Sequence, residues 1–139
     1  MGNKEKQLEL AKEAVALIKE FRRLESIVGD NAFNSVKTNN DGSKIIINHF
    51  YDGRLVYDLK EIHTVFEDEI DGFGPYGGGF YEAIDLAVNE FECYYNKMDK
   101  KKFMNYVGKV YYMKFRCEEI YKRLKEIASL AQTTSILIQ

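Results

Sequence analysis

Glu67, Asp68, Glu69 and Asp71 crowd four carboxylates into five positions, and the chain then runs into Gly72-Phe73-Gly74-Pro75-Tyr76-Gly77-Gly78-Gly79-Phe80-Tyr81. Residues of these types could hold a hard cation, cradle an anion or grip a macromolecular surface. Calcium is the first test, because Glu67, Glu69, Asp71 and Gly72 follow the opening of an EF-hand loop. Such a loop closes on a bidentate glutamate at its twelfth position, where Gly78 stands, so an EF-hand is rejected and no metal is expected. Phosphate is the second. Gly77-Gly78-Gly79 precedes a helical period, and free amides at a helix start attract anions. No Walker lysine follows and the spacing is not G-x-G-x-x-G, while Glu82 and Asp85 would repel an anion.

The third possibility is the one expected here. Carboxylates steer a basic partner, glycines allow close backbone approach, and aromatic rings supply contact area at low entropic cost. The expected partner-binding residues are Glu67, Asp68, Glu69, Asp71, Phe73, Tyr76, Phe80 and Tyr81. The plain counter-reading is a connector whose rings fold down onto the core.

Other chemistry-bearing residues are sparse. His49 and His63 are the only histidines, and two in different elements make no metal triad. Cys93 and Cys117 lack an adjacent base and a C-x-x-C partner, so they read as buried apolar residues in a reducing compartment. No catalytic residue, cofactor or metal site is expected, and the chain does not read as an enzyme.

The charges are sorted along the chain. Residues 52–92 carry a local balance of −9, residues 93–139 one of +6, and the total is −2. Fields of opposite sign choose partners and steer encounters. The basic stretch interleaves Lys109, Lys114, Arg116, Lys122, Arg123 and Lys125 with Tyr106, Tyr111, Tyr112, Phe115 and Tyr121. That mixture can hold single-stranded nucleic acid, but the −9 segment would oppose a polyanion, so a solvated outer face is favoured.

These residues need a scaffold, and three helical periods are visible. Leu10, Ala14, Leu17, Phe21, Leu24 and Val28 share one stripe, and Phe80, Ile84, Ala87, Phe91, Tyr94 and Met98 a second. Phe103, Val107, Val110, Met113, Cys117, Ile120, Leu124, Ile127 and Ala131 form the third. The pattern predicts an α+β domain with three long amphipathic helices over about 4–28, 79–98 and 100–131. Asp99 would cap the last of them. Between the first two, 33–38, 44–51 and 54–59 are β-leaning runs joined by Asn39-Asn40-Asp41-Gly42 and Asp52-Gly53, an antiparallel meander over about 33–59. Residues 61–70 read either as a short helix or as irregular chain. A second apolar line, Met104, Gly108, Tyr111 and Phe115, must pack on the meander or on another chain, so a homo-oligomer through this helix is open.

With 139 residues, 45% of them hydrophobic and 30% charged, the chain reads as one globular domain over residues 1–139. No apolar run approaches the roughly 20 residues that span a bilayer. The first residues lack a secretory pattern, and Lys6 stands where myristoylation wants Ser or Thr. A cytoplasmic protein of low-GC bacterial or phage origin is expected. The function expected is a non-enzymatic binding protein that inhibits or regulates a macromolecule with a basic surface, as immunity proteins and anti-defence inhibitors do. The alternative is a small-ligand binder closing Gly77–Gly79 over a nucleotide or metabolite. Nucleic-acid binding through the third helix is the weaker alternative.

Overall fold

The computed structural model describes residues 2–25, 33–49, 53–65 and 100–138. Helix α1 (Asn3–Glu25) leads into a three-stranded sheet of β1 (Phe33–Thr38), β2 (Lys44–His49) and β3 (Gly53–Asp58). A 3₁₀ turn, η1 (Leu59–Thr64), follows, and the 39-residue helix α2 (Lys100–Ile138) ends the chain. The fold is therefore α+β, with a small antiparallel sheet after the first helix, in strand order β1-β2-β3. The helical period over 79–98 lies outside the described residues. The ambiguous stretch after residue 60 is a 3₁₀ turn at its start, and α2 continues past Ala131 to Ile138.

The β1–β2 turn shows why these residues fold as they do. Asp41 Oδ1 accepts hydrogen bonds from the Ser43 amide (2.9 Å) and hydroxyl (2.6 Å), and Asn39 Oδ1 accepts one from the Lys44 amide. The two Ser43 bonds hold the Asp41 carboxyl below its ordinary pKa. Gly42 has φ +80°, and a Cβ there would stand 2.7 Å from the Leu8 Cα, so only glycine lets the turn seat against α1. Gln7, the one buried polar side chain among the described residues, donates to the Asp41 carbonyl at 2.9 Å and ties the turn down.

Pairing of Ile45 with Tyr57, and of Ile47 with Val36 and Leu55, puts these side chains on one face of the sheet. Val36, Ile45 and Ile47 join a single buried cluster with Ala11, Ala14, Ile18 and Phe21 of α1, Leu59 and Ile62 of η1, and the 113–131 stripe of α2. On α2, Met113, Cys117, Ile120, Leu124, Ile127 and Ala131 are buried as the period predicts.

On α1 the stripe is displaced. Gln7, Ala11, Ala14, Ile18 and Phe21 are the buried residues, while Leu10, Leu17 and Leu24 are only half-buried beside them. At 100° per residue the buried arc is rotated by roughly 60° from the expected one. The cause is that α1 has neighbours on two sides, α2 on one and β1 and β2 on the other. Leu10, Leu17 and Leu24 lie within about 60° of Glu13 and Glu20, the residues that pair with α2.

Candidate functional site

Glu67, Asp68, Glu69, Asp71, Phe73, Tyr76, Phe80 and Tyr81 all lie outside the described residues, as do Gly77–Gly79 and Cys93. His49 ends β2 opposite Gly53. His63 sits in the last turn of η1, half-buried, with Nδ1 buried and without a hydrogen-bond partner among the described residues, as is the Tyr57 hydroxyl. Leaving such a group unpaired costs about 1–3 kcal/mol, and nothing in the structure accounts for either. Cys117 is in no disulfide and is fully buried within the core cluster. Among the described residues no three His, Cys, Asp or Glu side chains are grouped to hold a metal ion.

The face described in detail is that of α2, and it begins with arginines. The Arg116 guanidinium donates to both carboxylate oxygens of Glu20 (2.5 and 3.1 Å) and lies 4.0 Å from Glu119. One heptad on, Arg123 donates to both oxygens of Glu13 (2.5 and 2.9 Å) and to Glu126 at 2.9 Å. The pairs 13–123 and 20–116 run in opposite directions, so α1 and α2 are antiparallel, clasped at two points seven residues apart. Bidentate geometry of this kind is the favourable form of the Arg–carboxylate pair. The Arg123 guanidinium holds the Glu13 carboxyl below the ordinary glutamate range, and both guanidinium pKa values are raised by their carboxylates.

Helical periodicity does not reveal this clasp. Its signal was present as Glu13 and Glu20 spaced by seven, and Arg116 and Arg123 spaced by seven, each arginine with a glutamate three residues on. The clasp also divides the basic set of α2. Arg116 and Arg123 are committed to α1, and Lys125 lies over the Tyr121 ring at 5.6 Å. Lys109 and Lys122 are exposed.

The outward line of α2 is exposed along its described length. Met104 is 64% exposed, Phe115 59%, Tyr112 60% and Tyr111 45%, and Gly108 has open space around it. At 100° per residue, Met104, Gly108, Tyr111 and Phe115 point away from the Met113–Cys117–Ile120 stripe by about half a turn. Two grooves flank the helix. One, of about 440 Å³, runs between α1 and α2 over Leu10, Glu13, Arg123 and Leu130. The other, of about 610 Å³, is walled by Phe115, Glu119, Tyr121 and Lys122. Both are open and mixed in polarity, which suits contact with a surface better than enclosure of a small molecule.

No helix among the described residues is long and apolar enough to cross a membrane. The chain matches no protein-family model, no curated protein and no solved structure.

Proposed function

We propose that this is a small non-enzymatic binding protein that inhibits or regulates a macromolecular partner with a basic surface, acting in the cytoplasm in the manner of an immunity or anti-defence protein. Glu67, Asp68, Glu69 and Asp71 draw the partner in, and Phe73, Tyr76, Phe80 and Tyr81 supply the buried contact. One observation supports this reading. The two arginines of α2, which belong to the +6 region, are engaged by Glu13 and Glu20 of α1. They are not at hand to neutralise the −9 region, whose field is left for a partner. The same commitment weighs against nucleic-acid binding by α2, since two of its bases are already occupied by carboxylates.

The test uses the protein as bait in lysate of its native host, beside a variant with Glu67, Asp68, Glu69 and Asp71 all changed to Lys. A protein retained by the wild type and lost by the variant is then purified and its binding followed in real time. Charge reversal should slow association and flatten its salt dependence, whereas Tyr76→Ala or Phe73→Ala should speed dissociation, each ring contributing ~2 kcal/mol. Aromatic variants that melt early yet bind normally would make the rings core residues and sink the proposal.

A further inference from the structure

The outward line of α2 has a second property that is independent of the acidic loop. Lys101, Met104, Gly108, Tyr111, Phe115 and Glu118 step by 3, 4, 3, 4 and 3 residues, which keeps them in one stripe. That order of steps reads the same in both directions about a point between Lys109 and Val110. We propose that this stripe is a self-association surface, on which a second copy of the chain packs antiparallel about a two-fold axis at that point.

A two-fold axis makes an interface isologous, so every contact occurs twice and the surface must complement itself. Here each position meets a suitable opposite. Met104 faces Phe115 of the copy, both more than half exposed in the single chain. Gly108 faces the copy's Tyr111, and among the described residues nothing outside its own helix backbone lies within 4 Å of where a Gly108 Cβ would stand, so a large ring enters the space that a missing side chain leaves. Lys101 faces Glu118 of the copy and closes each end of the apolar seam with opposite charges. Tyr112, 60% exposed, flanks the seam and widens it. The seam extends along roughly 25 Å of helix at 1.5 Å per residue. A parallel partner would oppose Lys101 to Lys101 and Glu118 to Glu118, and would leave Gly108 facing Gly108 with a void between them.

Sedimentation velocity of the full chain over a wide range of concentration tests the surface. The expected result is a monomer–dimer equilibrium that Phe115→Lys weakens by about tenfold or more. Gly108→Leu should abolish it while raising helicity, since glycine is the poorer helix former, so that loss cannot come from unfolding. Lys101→Glu should weaken the dimer and the added Glu118→Lys restore it. Orientation is read by cross-linking with a short bismaleimide in a Cys93→Ser background. Met104→Cys and Phe115→Cys chains, mixed, should cross-link to each other faster than either does to itself. A chain that stays monomeric throughout overturns the proposal. So does a dimer that Phe115→Lys and Gly108→Leu leave intact, which would place the contact elsewhere, and so does faster self-linking of each cysteine variant.

Discussion

The two faces of α2 both carry apolar residues at helical spacing and live in different surroundings. From Met113 to Ala131 the inward stripe is closed off, with Met113, Cys117, Ile120, Leu124 and Ile127 fully buried against α1, η1 and the sheet. On the outward side, Met104, Tyr111, Tyr112 and Phe115 stand in solvent. Apolar spacing therefore says that a face wants a neighbour and not whether it has one. The arginine clasp fixes which side of α2 turns toward α1.

The comparison is most sharply broken by charge placed in each region. Ile120→Asp or Phe21→Asp should unfold the domain, because an unpaired buried charge costs several kcal/mol. Ile18→Asp should behave alike, and Leu17→Asp, half-buried on the α2 side, should cost clearly less. Circular dichroism with urea titration reads the series, and equal losses at Ile18 and Leu17 would mean that the rotated stripe of α1 is misassigned.

A smaller effect is expected where the sheet seats on α1. Gly42→Ala brings a Cβ to 2.7 Å from the Leu8 backbone at a positive φ, and strain of this kind costs on the order of 1–3 kcal/mol. A melting temperature unchanged by Gly42→Ala would show that the turn does not rest on the helix.

The clasp comes next. Glu20 and Arg116 are 30% and 29% exposed, against 40% and 37% for Glu13 and Arg123, so Glu20→Gln should destabilise more than Glu13→Gln. Each should stay within about 1 kcal/mol, since partly exposed pairs are screened by solvent. The pH dependence has a definite sign. The Glu13 pKa is lower folded than unfolded, so the unfolded chain binds the proton more readily. The stabilisation is fully present above the ordinary glutamate range and is lost as pH falls through the depressed folded value. Stability measured against pH should thus fall on acidification in the wild type and less in Glu13→Gln, with the two curves converging in acid.

The smallest effect belongs to the bare face. Tyr112→Ser or Phe115→Ser, in dilute protein, should alter unfolding free energy by no more than about 0.5 kcal/mol, as exposed positions usually do. A loss of several kcal/mol there would mean that the outward side of α2 is core after all and would erase the contrast between its faces.

Much of the scaffold was legible in the residues. The β-leaning run of Ile45, Ile46 and Ile47, Asn39-Asn40-Asp41-Gly42 as a turn, and the 113–131 stripe are local patterns, set by residue type and near neighbours. Three matters were less accessible. The rotation of α1 depends on which neighbours flank it, and a single helix's period cannot distinguish one neighbour from two. The clasp joins residues 110 and 96 positions apart, and a spacing of seven on each helix acquires meaning only once the two helices are known to be paired. The candidate loop at 67–82 falls outside the described residues, so its reading rests on composition.

The sequence by itself determined the first and last helices, the three β-leaning runs with their turns, the buried role of Cys117 and the separation of negative from positive charge, because each is a matter of a residue's type and its near neighbours. Only the tertiary structure decided which arc of α1 is buried, which bases of α2 are committed to glutamates, and which of the two apolar faces of α2 is left open. Those depend on what stands within a few ångströms after the chain has folded. Burial and ion pairing are properties of the pair, and a linear pattern records one partner at a time.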